Sequence, residues 1–478
     1  MGETDRRDMQ TTPDDADDPN MLRGRRVLVM GLGLLGGGVA TARYAVAQGA
    51  AEVTVTDLRS PEVLAPSIEK LAGLPIRYVL ERHERADFTQ ADVVVRNPNV
   101  RRDSPYLAAA LAAGVRVEME IAWFFRACVG KILGITGTRG KTTTTLLLHH
   151  ILTQAGYTPL LGGNVGGIET LSLLPQITPR SWIVLELGNW MLEGLHTIQR
   201  SPYLAIFTNL LPDHLNAYDS MDDYGEAKTS IFRYQRSDDI AIFNADNEYA
   251  LRYSAQAPSQ HVWLYSPNRR VAYPRNEQTQ GRPFAYADDI RLRGAHNIGN
   301  AQAATLAAEL VGVAPETIRA ALASFGGAPH RLEVVRQLAG VTYVNDSAST
   351  APVAGVAALR SFDESIVLIA GGNTKNLDHS EFATAVAERV KRVILLAGTA
   401  SDQFAADVRA AAQALGRPDA RELVIGPVHS MADAIAAART QAAAGDVVLL
   451  SPGFTSFGLF LHEFDRGDQF RTQVNALE

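Results

Sequence analysis

Gly134-Ile135-Thr136-Gly137-Thr138-Arg139-Gly140-Lys141-Thr142-Thr143-Thr144 closes an apolar run and opens a helical one. Glycines at a strand-to-helix turn let backbone N–H groups approach phosphate oxygens. Lys141 brings a cation to the terminal phosphates, the Thr142 hydroxyl is a ligand for Mg2+, and the helix N-terminus itself favours an anion. Gly137, Thr138, Gly140 and Thr143 complete the cradle. The stretch predicts an ATP- or GTP-binding domain. Its glycines fall at 134, 137 and 140, with Ile135 where the common phosphate-loop pattern has its first glycine, and this spacing points away from generic GTPases.

Upstream, Arg26-Val27-Leu28-Val29-Met30 leads into Gly31-Leu32-Gly33-Leu34-Leu35-Gly36, an Ala-rich helical stretch and the run Glu52-Val53-Thr54-Val55-Thr56, which ends at Asp57. This is the layout of a dinucleotide fold, in which an acid about twenty positions after the glycines meets a ribose hydroxyl. The same unit holds other nucleotides at its phosphate-binding turn, and the separate phosphate loop downstream argues against an NAD enzyme. Beyond that loop, apolar strands at residues 181–187, 203–210 and 239–243 alternate with helical stretches, and the alternation resumes at 341–344, 365–369, 392–396 and 446–450. Parallel sheets with covering helices are expected in both segments. The fold class is therefore α/β with three domains. A Rossmann-like N-terminal domain is expected over residues 21–127, a central P-loop ATPase-like domain over 128–329 and a Rossmann-like C-terminal domain over 330–478, after a disordered acidic tail over 1–20.

A length of 478 residues exceeds what one hydrophobic core usually serves, in keeping with several domains. The net charge of -7 and the lack of a long basic stretch argue against a nucleic-acid partner, whose phosphates demand clustered Lys and Arg. Cys128 is the one cysteine; its apolar surroundings predict a buried, inert thiol and a reducing compartment. Residues 1–20 carry no apolar core of a signal peptide, and no 18-residue apolar run follows, so a cytoplasmic protein without a membrane span is expected; a monomer is the default expectation.

Three further positions carry chemistry. Glu186 ends the apolar strand Ile183-Val184-Leu185, and strand ends in such a sheet face the ligand crevice, where a carboxylate holds the magnesium of a bound nucleotide. Asp213-His214 follows the strand that ends at Thr208-Asn209, so the imidazole could ligate a second metal or orient a substrate group. Lys228, inside Tyr224-Gly225-Glu226-Ala227-Lys228, reads by itself as an ordinary exposed helical lysine.

Taken together, Gly134 to Thr144, Leu185-Glu186-Leu187, Thr208-Asn209 with Asp213-His214, Tyr224 to Lys228, His296-Asn297 with Asn300-Ala301, Pro329-His330-Arg331 and Asn345-Asp346-Ser347 follow one another in the order seen in Mur ligases. The chain after its tail resembles that family along nearly its whole length. The resemblance implies an ATP-dependent amide ligase of peptidoglycan precursor synthesis, with UDP held by the first domain, ATP by the second and the incoming amino acid by the third. It implies UDP-N-acetylmuramoyl-L-alanine as acceptor and D-glutamate as donor, L-glutamate on the same acceptor being the nearest alternative. A folylpolyglutamate-type ligase would have no use for the first domain, and a non-catalytic nucleotide-binding protein would require loss of metal or phosphate groups that are all retained.

The resemblance also implies roles. Lys141, His214 and Lys228 would be catalytic; Thr142 and Glu186 would hold one Mg2+, with His214 and a carbamylated Lys228 at the other. Asn297, Asn300, Arg331 and Asp346 would contact the ATP, and Gly33, Leu34, Asp57 and Arg59 the UDP. Asn164 would meet the muramoyl group, and Thr350, Lys375 and Ser456 the glutamate. Leu35 offers the diphosphate no hydroxyl, which leaves more of that task to backbone N–H groups.

Departures from the family pattern cluster on the acceptor and amino-acid side. Gly188-Asn189-Trp190-Met191 replaces Ser-Ser-Phe-Gln, Ala348 replaces a lysine, and Glu463 stands where an aromatic is common, with Phe464 beside it. The first domain is expected to read uracil and diphosphate. In a thermal-shift assay a UDP-sugar should raise the melting temperature and NAD should not; micromolar NAD binding without UDP-sugar binding in calorimetry would reverse this reading.

Overall fold

The computed structural model describes residues 21–34, 36–98, 100, 103–165, 168–212, 218, 220–277, 281–286, 289–290 and 296–478. The acidic tail, Leu35 and the Asp213-His214 pair lie outside them. Residues 21–290 with 296–323 make one compact unit and residues 324–478 a second.

The first unit holds two sheets. β1 (Arg26–Met30), β2 (Glu52–Asp57), β3 (Ile76–Leu80), β4 (Val93–Arg96) and β5 (Arg116–Glu118) form a parallel sheet in the order β3-β2-β1-β4-β5. Alternation along β1 sends Val27 and Val29 to one core and Leu28 and Met30 to another, so both faces of the sheet are covered. The larger sheet comprises β6 (Lys131–Thr136), β7 (Leu160–Gly163), β8 (Trp182–Glu186), β9 (Leu204–Phe207), β10 (Ile240–Asn244), β11 (His261–Ser266), β12 (Val271–Pro274) and β13 (Arg282–Pro283), in the order β13-β12-β11-β10-β9-β6-β8-β7. Strand order reverses around β6, and in open parallel sheets such a reversal opens the crevice that receives ligands. The sequence leads from β6 straight into the glycine stretch.

The second unit is built on β14 (Glu333–Leu338), β15 (Val341–Asn345), β16 (Ile366–Gly371), β17 (Val390–Leu396), β18 (Val424–Val428) and β19 (Val447–Leu450), in the order β14-β15-β19-β16-β17-β18. Neither large sheet is wholly parallel. β12, β13 and β14 pair antiparallel at the edges. The reason is loop length: β14 and β15 are joined by Ala339-Gly340 alone, both at positive φ (50° and 80°), a hairpin turn far too short for a parallel crossover.

One continuous core joins the two sheets of the first unit, running from Val27 and Val55 through Trp123 and Phe124 to Leu185, Leu195 and Phe207. The helix Glu120–Ala127 carries the junction, and a buried carboxylate anchors it. Glu118, 2% exposed, accepts from Trp123 Nε1 at 2.6 Å and from Arg126 Nη1 and Nη2 at 2.9 and 2.8 Å. Glu118→Ala would leave the Arg126 guanidinium buried and unpaired, a loss of about 3–5 kcal/mol. The measurement is urea unfolding, where the midpoint of the first unit's transition should fall; an unchanged midpoint would show that the network does not hold the junction.

Candidate active site

The cradle is shaped by what surrounds its glycines. Gly137 sits at φ +148° after β6, and a Cβ there would lie 1.9 Å from Thr208 Oγ1. Thr208, just past β9, donates through that hydroxyl to Arg139 O at 2.8 Å, while Asn209 accepts from Arg139 N at 2.9 Å and receives Thr138 N on its own carbonyl at 2.9 Å. The Thr208-Asn209 pair is thus the staple of the loop. Gly140 sits at φ +82° as N-cap of the helix Lys141–Gln154, and a Cβ on it would come 2.1 Å from Asn300 Oδ1. Asn300 donates to Asn297 Oδ1 at 2.8 Å, so the helix His296–Leu310 brings both asparagines against the start of the cradle.

Two lysines meet on one backbone oxygen. Lys141 Nζ donates to Gly137 O at 3.1 Å and to Thr138 O at 3.0 Å. Lys228 Nζ donates to the same Gly137 O at 3.1 Å and to Asn189 Oδ1, and it lies 5.0 Å over the Tyr224 ring. Lys228 is only 1% exposed, which rules out the reading of it as an ordinary surface lysine. Thr138 is committed to the scaffold: its hydroxyl receives Leu211 N at 3.0 Å and lies 3.2 Å from Tyr224 OH, and its N–H is held by Asn209 O at 2.9 Å.

Glu186, at the end of β8, is 2% exposed. Its Oε1 accepts from Asn164 Nδ2 at 3.0 Å, and its Oε2 is buried with no hydrogen-bond partner among the described residues. A buried carboxylate oxygen left without a donor is the mark of a hard-cation ligand. Thr142 and Thr143 stand half-buried in the first turn of the adjacent helix. Glu186 and Thr142 fit a magnesium ion, and no cluster of three or more His, Cys, Asp or Glu able to hold a metal occurs among the described residues. His214 lies outside them.

In the first domain, two of the turn's backbone N–H groups are already engaged within the protein. Asp57 Oδ2 accepts from Leu32 N at 2.9 Å and from Gly33 N at 3.1 Å, and Oδ1 accepts from Arg59 N at 3.0 Å. The carboxylate, 8% exposed, shapes the turn from within and holds the N–H groups of Leu32 and Gly33. Leu34 is half-buried and the Arg59 side chain is exposed. Cys128 is half-buried rather than buried; it donates to Gly130 O at 3.8 Å, and burial raises its thiol pKa, which keeps it in the unreactive thiol form.

The second unit gathers its own set at the ends of β15, β16 and β19. Lys375 Nζ donates to Thr350 Oγ1 at 3.0 Å, and the two line a cleft with Pro352, Thr374 and Phe454. Ser456 is buried, and its Oγ has no hydrogen-bond partner among the described residues. Asp346 turns inward, with Oδ2 receiving Ser349 Oγ at 2.5 Å and Ser451 Oγ at 2.8 Å and Oδ1 receiving Leu332 N at 3.1 Å. Burial pushes its carboxyl up to about 6. That geometry makes Asp346 a brace of its own loop, whereas Arg331, the other expected ATP contact of this unit, is exposed. Beside Ala348, the fully buried Arg466 donates Nε to Ser347 Oγ and Nη2 to Ser347 O, both at 2.9 Å, and Nη1 to Phe454 O at 3.3 Å. The sequence reading missed Arg466, which reaches its loop from 119 residues away and sits in no recognisable motif. Glu463 opens the helix Glu463–Asn475, half-buried, and the Phe464 ring packs on His330 at 5.5 Å.

Residues 25–118 match the Mur ligase MurD-like N-terminal domain, residues 135–308 the Mur ligase middle domain, and residues 330–454 the Mur ligase glutamate ligase domain. The chain belongs to the Mur ligase family. It is 46% identical to the UDP-N-acetylmuramoylalanine--D-glutamate ligase of Roseiflexus sp., over 95% of this chain and 99% of that one. It is 37% identical to the ligase of the same name from Geobacter metallireducens, over 95% and 98%. Among solved structures, UDP-N-acetylmuramate-alanine ligase MurC from Thermotoga maritima superposes with a TM-score of 0.60 at 20% identity, covering 95% of this chain and 99% of that one. MurF ligase from the same organism, in complex with ADP, gives 0.52 at 17%, over 95% and 96%. These two establish the three-domain Mur ligase fold and nothing finer. No helix among the described residues is long and apolar enough to cross a membrane.

This Mur ligase places Gly137, Thr138, Gly140, Lys141, Thr142, Glu186, Lys228, Asn297 and Asn300 around one strand-end crevice. Gly140→Ala would drive a methyl into Asn300 and strain the left-handed backbone. The expected outcome is loss of ATP binding in calorimetry with UDP-sugar binding kept; ATP binding at parental strength would remove the cradle from the nucleotide site.

Proposed function

We propose that this Mur ligase joins D-glutamate to UDP-N-acetylmuramoyl-L-alanine at the expense of ATP, in peptidoglycan precursor synthesis. The observation that carries the reading is 46% identity, over nearly the whole of both chains, to a relative named for that reaction. The cradle around Gly137 and the Lys375, Thr350 and Ser456 set in the second unit supply groups suited to its two anionic partners.

The terminal carboxylate of the acceptor takes the γ-phosphoryl group of ATP, giving an acyl phosphate and ADP. The amine of D-glutamate then attacks the acyl carbon, and phosphate leaves as the amide forms. Negative charge gathers on phosphoryl oxygens as that group moves, and Lys141 with the N–H groups of the Lys141–Gln154 helix terminus stabilises it. Magnesium bound at Glu186 and Thr142 would neutralise phosphate charge. Asn164, tied to Glu186, would orient the muramoyl group, and Lys375 with Thr350 and Ser456 would bind the glutamate carboxylates.

Lys228 works in this reading as a carbamate. The ammonium first gives up one proton; the neutral amine then adds to CO2, forming an N–C bond and releasing a second, and the cation gives way to a carbamate whose single negative charge is shared by two oxygens. Two ammonium groups on Gly137 O repel each other, and conversion of one to an anion relieves this. His214 would join Lys228 at a second metal.

The test is product formation with ATP, Mg2+, UDP-N-acetylmuramoyl-L-alanine and either D- or L-glutamate. Phosphate and a new amide should appear with the D isomer and only with all components present. Preference for L-glutamate would transfer the reading to that donor, and equal ATP consumption without the muramoyl nucleotide would end it.

A further inference from the structure

Lys228 does not meet its neighbours singly. Its Nζ donates to Asn189 Oδ1; Asn189 Nδ2 lies 3.2 Å from Tyr218 OH; that hydroxyl lies 3.2 Å from Glu193 Oε1; and Glu193 Oε2 receives Arg96 Nη2 at 2.5 Å. Each of the five side chains is largely buried: Lys228 is 1%, Tyr218 3%, Asn189 7% and Arg96 8% exposed as residues, and the Glu193 side chain is 13% exposed. Asn189 opens the helix Asn189–Ile198, which also carries Glu193, while Arg96 ends β4 in the first domain. The next residue, Asn97, donates to Gly31 O at 3.4 Å, at the turn expected to hold the diphosphate.

The polarity of this chain follows from its ends. A carboxylate paired with a guanidinium only accepts hydrogen bonds, so Tyr218 must give its proton to Glu193. The phenol oxygen then has lone pairs to offer Asn189, which turns its NH2 toward Tyr218 and its carbonyl oxygen toward Lys228. Ring packing holds that oxygen in place, the Tyr218 ring being stacked on Trp190 (5.9 Å, 16°) and 5.3 Å from the ring of Tyr224.

We propose that Arg96, Glu193, Tyr218 and Asn189 form a positioning relay that fixes which face of the Asn189 amide meets Lys228, so that the aim of Lys228 is set from the first domain. The inference rests on the reading of Lys228 as a carbamate. A carbamylated lysine keeps one N–H, and the Asn189 oxygen holds it, leaving both carbamate oxygens directed away from Asn189. A flipped amide would set NH2 against that nitrogen and compete for the oxygens instead. Asn189 is one of the departures from the family pattern, and the relay is what it does in this chain.

The decisive variant is Tyr218→Phe in the full-length enzyme, which deletes one hydroxyl and keeps the ring packing. Two readouts are taken: steady-state kinetics, and the carbamate carbon resonance after exposure to carbon-13-enriched bicarbonate, assigned by its loss in Lys228→Ala. Tyr218→Phe should lower kcat by ~10-fold with the KM for ATP kept, and should shift the resonance. Arg96→Met should act in the same direction, Arg96→Lys should restore most of the loss, and the Arg96→Met/Asn189→Ala double variant should be no slower than Asn189→Ala alone. Parental kcat and an unshifted resonance in Tyr218→Phe, or multiplying effects in the double variant, overturn the relay. If circular dichroism shows that Tyr218→Phe has not folded, Glu193→Gln takes its place. A parent enzyme that ligates glutamate without a carbamate resonance overturns the carbamate reading, and the relay is then judged on kcat. A parent with the resonance but no ligation overturns the substrate reading, and the relay is judged on the resonance; a parent with neither overturns both.

Discussion

The carbonyl oxygen of Gly137 is the point on which this active site turns. Lys141 and Lys228 both donate to it, each at 3.1 Å, so two cationic groups are drawn to one spot at the head of a helix. Like charges brought this close favour a negative charge beside them. The same residue has no room for a side chain, because Thr208 Oγ1 would stand 1.9 Å from its Cβ. One backbone position therefore shapes the phosphate loop, gathers the charge and links it to the element that carries Lys228.

What makes this possible is the convergence of strand ends. β6 runs into the loop, β8 delivers Glu186, and β9 delivers the Thr208-Asn209 staple, all from adjacent parallel strands of one sheet. Gly163, the last residue of β7, has no space for a Cβ because Glu186 O would lie 2.1 Å away, which is how Asn164 comes close enough to hold the Glu186 carboxylate. The second unit repeats the device with β15, β16 and β19, where Asp346 N donates to Leu450 O at 2.7 Å and Ser451 N to Ile369 O at 3.1 Å. There the buried Arg466 ties the loop of Ser347 to that of Phe454.

Much of this was legible in advance. The glycine stretch, the strand β1 with its turn, and the alternation of apolar runs with helices pointed to an α/β chain with three sheets, because residues in continuous succession carry those signals. The antiparallel edges were less visible, since a two-residue turn such as Ala339-Gly340 decides strand direction through backbone dihedral angles and only Gly340 announces itself. Likewise the inward aim of Asp346 and the commitment of Asp57 to the N–H groups of Leu32 and Gly33 depend on partners that no local motif names.

By itself, the sequence determined the identity of the chemistry: a phosphate cradle at residues 134–144, a strand-end carboxylate at Glu186, and motifs in the order of the Mur ligase family. Those are properties of residue type and spacing, and they survive without knowledge of the fold. Tertiary structure alone decided that Lys228, outwardly a helical surface lysine, is buried against Gly137 and Asn189, and that Arg96 reaches the same site through Glu193 and Tyr218. Burial and hydrogen-bond partnership arise between residues far apart in the chain, 91 positions in the case of Lys228 and Gly137, and only packing brings them within reach.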